Sequence, residues 1–157
     1  MDEKPRRKIN RVKDYDYSQP GAYFVTICTA NREKILWEPV GADIIRLDRL
    51  PLSAEGEIVR QGISQIDTHY NNVSVDKYCI MPDHVHILIS MTSGDRRMIS
   101  APTLSTVVGS MKRWTSRQIA RPIWQKSFYE HIIRNQRDYD EIWNYIENNP
   151  LKYIARK

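Results

Sequence analysis

The sequence predicts an α+β domain, a small antiparallel sheet with two helices in its crossovers and a third helix after the last strand. Two observations carry that expectation. Short runs rich in β-branched and aromatic residues are bounded by turn residues, as strands are. Between them lie stretches whose apolar residues recur at helical spacing. With 157 residues, one hydrophobic core is expected.

Residues 1–20 are polar, carry Arg6, Arg7, Lys8, Arg11 and Lys13, and run into the turn signal Ser18-Gln19-Pro20-Gly21. They read as a basic arm before a single domain over residues 21–157. The run AYFVTICT over residues 22–29 is too continuous to be half exposed and predicts a central strand. Residues 32–50 mix charges with Pro39 and Gly41, and a short edge hairpin is expected there from residues 35–37 and 43–47. Ser53 suits the cap of a helix in which Ile58, Ile63 and Ile66 recur until about residue 69, before Asn71-Asn72 stops it. Residues 73–80 and 84–91 are strands joined by Met81-Pro82-Asp83, a link short enough to make an antiparallel hairpin. After the polar turn Ser93-Gly94-Asp95, Pro102 suits a first helical turn. Leu104, Val107, Val108, Met111 and Ile119 then keep one apolar face through Ala120. Residues 123–133 hold Trp124, Phe128 and Tyr129 and read as a strand with a break. Asp138 starts a last helix that should stop at Asn149-Pro150, because proline disfavours helix in the residue before it. The order β-α-β-β-α-β, then α, is the ferredoxin-like or RRM-like arrangement, with helices on one face of the sheet.

Composition removes some function classes. A hydrophobic fraction of 41% and a charged fraction of 27% suit a globular domain. No apolar stretch approaches the roughly 20 residues that span a bilayer, so no membrane partner is expected. The first residues lack an apolar segment of the secretory kind, which predicts a cytoplasmic protein. Cys28 and Cys79 stand in apolar runs without CxxC spacing, so buried free thiols are expected rather than a disulfide or a zinc knuckle. A net charge of +5 leans weakly toward a polyanionic partner.

His84 and His86 lie two apart on a predicted strand, so both imidazoles leave one face while Val85 leaves the other. Neutral imidazole is a good ligand for first-row divalent metals. Two ligands do not close a structural site, so an ion held there would stay open to water and substrate. The same pair also suits two half-buried strand residues with no ligand. On the last helix Tyr139, Ile142, Trp143 and Ile146 form one apolar stripe. Tyr145 sits about 110° from the centre of that stripe, and Asn149 shares its flank within about 40°. If the stripe packs near the histidines, the two residues overhang them, with Asn149 a candidate third ligand. A boundary tyrosine with a wet hydroxyl is the plainer role for Tyr145.

Three segments together, YDYSQPGAYFVTICTANR (15–32), YCIMPDHVHILI (78–89) and IWQKSFYEHIIRNQRDYDEIWNYIENNPLK (123–152), resemble the REP-associated tyrosine transposases, a branch of the single-tyrosine HUH transposases. The resemblance covers nearly the whole chain from residue 15. It implies that His84 and His86 bind metal, that Tyr145 is the nucleophile and that Asn149 is a polar third ligand. Asp83 departs from the pattern, which more often has asparagine before the first histidine, and a carboxylate there bears on metal preference and on repulsion of the DNA backbone. The implied activity is attack on a phosphodiester of single-stranded or hairpin DNA, giving a 5′-phosphotyrosine and a free 3′-OH. The implied cofactor is Mg²⁺ or Mn²⁺, acting as a Lewis acid on phosphate oxygens. A tyrosine hydroxyl ordinarily titrates near pH 10, so its attack needs such a polarised target.

Lys112, Arg113, Arg117, Arg121, Lys126, Arg134 and the arm residues Arg6, Arg7, Lys8 and Arg11 are candidate phosphate contacts, with Trp114 and Trp124 as candidate stacking platforms. His69 and His131 read as structural or solvent-facing, although His131 falls on a family position that suits a DNA contact. Either a monomer or a homodimer with its tyrosine used across subunits is compatible with the sequence. A noncatalytic single-strand-binding module of the same fold is the alternative, but such strands present aromatics at the sheet centre rather than two histidines. A metal hydrolase acting on small molecules would leave Tyr145 and the basic arm without a task.

Overall fold

The computed structural model describes residues 21–39, 50–92 and 102–155, with the side chains of residues 151, 154 and 155 left aside. The basic arm with Arg6, Arg7, Lys8 and Arg11, the 43–47 half of the expected hairpin and the turn at 93–95 lie outside the described residues.

Four strands form one antiparallel sheet: β1 (Gly21–Cys28), β2 (Val73–Ile80), β3 (His84–Met91) and β4 (Tyr129–Ile133), in the order β2-β3-β1-β4. The crossovers hold α1 (Ala54–His69) and α2 (Leu104–Ile119), and α3 (Gln136–Ala155) follows the last strand. This is the expected α+β ferredoxin-like order. β1 is central, as its continuous apolar run required, and pairs with β3 over its whole length, from Gly21↔Met91 to Cys28↔His84.

The alternation of side chains gives the sheet two different faces. Tyr23, Val25 and Ile27 of β1 and Val85, Ile87 and Ile89 of β3 share one face and are completely buried. The opposite face carries Phe24, Thr26 and Cys28 beside His84, His86 and Leu88. α3 packs on β2 and β3 at this second face, so α1 and α2, which pack on each other, cover the first. The expectation of helices on one face therefore holds for the crossover helices, and the tyrosine helix takes the other.

Local chemistry sets the helix ends. Ser53 Oγ accepts the Gly56 N–H at 3.0 Å, a cap worth about 1 kcal/mol. Gly56 also lets the Leu36 carbonyl come close, since a Cβ there would stand 2.1 Å from that oxygen. α2 is capped by Thr103, whose Oγ1 accepts the Thr106 N–H at 3.2 Å, so Pro102 precedes the cap rather than opening the first turn. α3 starts two residues before the expected Asp138, because the Asn135 side-chain oxygen accepts the Asp138 N–H at 2.8 Å.

Two other expectations need correction. The strand predicted over 123–133 is only β4, with Trp124 making an isolated bridge to Thr29. Between them the carbonyls of Gln125, Lys126 and Ser127 turn toward the Lys112 amine, at 2.7, 3.3 and 3.5 Å, instead of joining the ladder. The last helix does not stop at Asn149 but continues through Pro150 to Ala155. Its final turns are fastened by Tyr153, whose ring meets Trp37 edge-on at 5.4 Å. That tertiary contact offsets the backbone hydrogen bond that proline cannot donate.

Candidate active site

Each element delivers one part of the second sheet face. The Met81-Pro82-Asp83 turn is clamped from both sides, by Thr29 N–H on the Asp83 carbonyl at 3.0 Å and Leu36 N–H on the Pro82 carbonyl at 3.0 Å. The clamp fixes the entry of β3, and the alternation of β3 puts His84 and His86 on the same face, their ring centroids 4.7 Å apart.

Both imidazoles are held through Nδ1. His84 Nδ1 lies 2.7 Å from Asp83 Oδ1, and His86 Nδ1 lies 2.8 Å from Thr26 Oγ1. An ionised carboxylate only accepts, so His84 donates from Nδ1, and in the neutral ring the lone pair is at Nε2. The same assignment for His86, with the threonine oxygen accepting, leaves its Nε2 buried and without a hydrogen-bond partner. Burial, helped by the charges of His84 and Arg32, pushes the His86 pKa down to about 3. At neutral pH this ring is an uncharged donor of a lone pair, the form that ligates metals.

Two neighbouring histidines on one sheet face, each fixed through Nδ1 by an oxygen partner, fit the first half of a cation site. Among the described residues no group of three or more His, Cys, Asp or Glu could hold a metal ion. Any ion at the pair would therefore need other donors, such as an amide, water or a phosphate oxygen. Asn149 lies beside the strand pair that carries His86. Its amide hydrogen-bonds the thiol of Cys79, which stands directly across the ladder from His86. Burial pushes the Cys79 pKa to about 12 against that bond, so the group stays a thiol.

α3 brings Tyr145 over the same spot. The Tyr145 ring meets His86 at 5.4 Å and Phe24 at 5.9 Å, the latter edge-on, while Phe24 stacks on His86 at 5.2 Å. The tyrosine thus reaches the histidines of its own chain, with 42% of its surface exposed. Docking of α3 rests mainly on Ile146, 1% exposed, whose burial is worth about 1.5–3 kcal/mol. The Tyr139 hydroxyl adds a bond to Asp76 at 2.6 Å, and Lys77 pairs with Glu147. The latter pair is partly exposed and contributes at most about 1 kcal/mol. Trp143, expected within the apolar stripe, lies at its edge with 37% exposure and the Lys77 amine 4.8 Å above its ring.

The candidate phosphate contacts are scattered. Lys112 is already committed to three carbonyls and is a structural tie. Arg113 and Arg117 line a groove between α1 and α2 with His69, Tyr70 and Trp114. That groove belongs to the helix layer and not to the histidine face. Lys126, Arg121 and Arg134 are exposed. Trp124 is not a stacking platform: it is buried and donates its indole N–H to Thr115 Oγ1 at 2.8 Å. His131 is held by Asp138 at 2.8 Å, and His69 lies edge-on to Tyr70. Both cysteines are free, Cys79 buried and Cys28 partly so.

Sequence reasoning missed Thr26, Phe24, Cys79 and Arg32. The first three lie within strands already recognised, but only the β1–β3 and β2–β3 registers show that they flank His86. Arg32 follows β1 in a tight turn and binds Asp83 Oδ2 through both Nε and Nη2 at 3.1 Å. Burial would raise the Asp83 pKa, but the hydrogen bond and charge of His84, and then Arg32, outweigh it and hold the carboxyl below its ordinary value.

Comparison with known proteins bears on the family and the fold. The family model described as transposase, IS200 like, matches residues 21–149. An uncharacterised protein of Haemophilus influenzae is 30% identical over 166 residues, covering 93% of this chain and 88% of that one. A REP-associated tyrosine transposase of Escherichia coli is 25% identical over 137 residues, covering 87% of this chain and 70% of that one. A solved structure of a REP-associated tyrosine transposase bound to a REP hairpin shares the fold, with a TM-score of 0.67 at 22% identity. It covers 92% of this chain and 74% of the other.

Proposed function

From the premise that the chain belongs to the IS200-like transposase family, among the REP-associated tyrosine transposases, we propose that it cuts and rejoins single-stranded DNA at hairpin-flanked sites through Tyr145. The observation that carries this reading is the Tyr145 ring set 5.4 Å from His86 within one chain, above an imidazole pair whose Nε2 atoms are left for a ligand.

In this mechanism the Tyr145 oxygen attacks a backbone phosphorus. A tyrosyl O–P bond forms, the P–O3′ bond breaks, and the departing oxygen takes a proton to become a free 3′-OH. One phosphodiester has replaced another, so a 3′-OH can later attack the phosphotyrosine and restore DNA without ATP. His84, His86 and Asn149 would hold Mg²⁺ or Mn²⁺, which supplies Lewis-acid polarisation of the phosphate oxygens when bound. Asp83 and Thr26 fix the two rings, and the burial of His86 itself keeps that ring unprotonated at neutral pH. Phe24 sets the Tyr145 ring at an edge-on angle and excludes water beneath it. Tyr145 is 42% exposed, so a nucleic acid strand can reach it from solvent.

The test is incubation with Mn²⁺ and a labelled single strand that carries a hairpin, followed by a denaturing gel. A protein-linked band that disappears in Tyr145→Phe and in His86→Ala is expected. Cleavage that survives Tyr145→Phe would sink the mechanism, and binding with no adduct at all would favour a noncatalytic module.

A further inference from the structure

We propose that Arg32 is a phosphate-binding residue at the histidine face, its guanidinium aimed there by Asp83. The inference rests on the reading that this face receives a DNA strand, and it goes beyond that reading in naming the protein cation that meets a backbone phosphate.

The Asp83 carboxylate is shared between two groups. One oxygen holds His84 Nδ1, and the other takes Arg32 Nε and Nη2, each at 3.1 Å. Two contacts on one oxygen lock the guanidinium plane. The third nitrogen, Nη1, is turned to Cys28 Sγ at 3.5 Å. Cys28 is the cross-strand partner of His84, so Nη1 is presented at the histidine end of the sheet. A thiol is a weak acceptor, and a phosphate oxygen would replace it with gain. The Arg32 side chain is 53% exposed while Asp83 is 17% exposed, so solvent and substrate reach the arginine and not its anchor.

The backbone supports a purpose beyond an ordinary ion pair. Asn31 and Arg32 both adopt the left-handed region, with φ of 56° and 55°. Two successive non-glycine residues in that region are strained, and an exposed ion pair is worth too little to account for it. Such strain collects where a side chain must be placed for a ligand. The charge arithmetic agrees. An aspartate next to the first histidine would repel a phosphate backbone, and Arg32 offsets that charge at the atom where it resides. A Nε–Nη2 grip also leaves Nη1 with only the Cys28 thiol to give up, a fork geometry that a lysine at the same position would not reproduce.

The experiment measures binding of a fluorescein-labelled hairpin oligonucleotide with single-stranded tails, by anisotropy, across a series of potassium chloride concentrations. Wild type, Arg32→Gln and Arg32→Lys are compared, with Mn²⁺ affinity read by electron paramagnetic resonance and the phosphotyrosine adduct scored separately. Loss of one single-strand phosphate contact makes the slope of log K against log salt shallower by about 0.7 in Arg32→Gln. Binding weakens roughly tenfold, and Mn²⁺ affinity stays at the wild-type value. Arg32→Lys keeps the slope and binds more weakly than wild type. A wild-type slope in Arg32→Gln overturns the proposal, as does wild-type affinity in Arg32→Lys, which also decides the matter if Arg32→Gln does not fold. Concurrent loss of Mn²⁺ binding in Arg32→Gln assigns the residue to the turn alone and overturns it too. A shallower slope in Arg32→Gln with no adduct in wild type removes the proposed cutting reaction and leaves the Arg32 contact standing.

Discussion

Thr26→Val removes one oxygen and almost nothing else. The two side chains are close in shape, and the hydroxyl that is lost holds His86 Nδ1 at 2.8 Å. Thr26 is 8% exposed and His86 5%, so no water is at hand to replace it. An imidazole N–H left buried without a partner costs about 1–3 kcal/mol, and the added methyl returns under about 1 kcal/mol of apolar transfer. A net loss of about 1–2 kcal/mol should lower the melting temperature of the metal-free protein by a few degrees, at roughly 2–4 °C per kcal/mol. The larger effect falls on the ligand atom. Once Nδ1 has no acceptor, the ring is free to take the other tautomer, which places the proton on Nε2. Partners of this kind typically contribute a factor of about 10–100 in metal affinity. Calorimetric titration with Mn²⁺ should therefore give a dissociation constant about 10–100-fold above wild type, while circular dichroism shows an intact fold. Affinity within twofold of wild type in a folded Thr26→Val protein would refute the assignment of Thr26 as the orienter of His86 and leave it a packing residue.

Three further outcomes follow from the packing and the titrating groups. His86, held near 3 in the folded state by burial first and by His84 and Arg32 next, ordinarily titrates near 6.5. Between those values the unfolded chain binds the extra proton, so stability in the presence of a chelator should fall as pH drops from about 6.5 toward 3 and be insensitive to this group above that window. Urea midpoints across the range check this, and an identical acid slope in His86→Gln would contradict it. Gly62→Ala should destabilise by about 1–2 kcal/mol despite the better helix propensity of alanine. A Cβ there would sit 2.6 Å from Thr115 Cγ2, on a side chain pinned by Trp124 and the Met111 carbonyl; a melting temperature at or above wild type would count against this tight α1–α2 contact. Lys112→Met should lower the melting temperature, because three carbonyls lose their donor, yet leave the salt slope of DNA binding unchanged; a slope shallower by about 0.7 would return Lys112 to the phosphate contacts.

The architecture was legible because strand and helix periods differ and the turn residues stand where the chain reverses. His84 and His86 were legible as a same-face pair from their spacing alone, and Tyr145 with Asn149 from helical angle. Their roles came from resemblance, since spacing does not state what an imidazole faces. Thr26 was hidden for a definite reason. A strand's pattern tells which residues alternate, but the neighbour across the ladder depends on register, and the Thr26–His86 pairing is decided by contacts spread along both strands. Trp124 and Lys112 show the opposite failure. Their types suggested a stacking platform and a phosphate contact, but partners on α2 and in the 125–127 loop claim them. Pro150 misled because local backbone preference was outweighed by the Trp37–Tyr153 contact, which involves residues far apart in the sequence.

The oxygen that holds His86 comes from a strand 60 residues earlier in the chain. A β2–β3 hairpin alone can bring the two histidines together with Asp83, but not Thr26 or Phe24, which arrive only when β1 docks between β3 and β4. Tyr145 arrives later still along the chain, with α3. A chain emerging from the ribosome therefore holds scattered pieces of the proposed cutting centre until α3 is laid down. A partly unfolded copy that sheds α3 loses Tyr145, the proposed nucleophile, before it loses its sheet. For a protein whose proposed chemistry breaks DNA, completion of the fold would itself act as the arming step, and damaged molecules would be harmless by default.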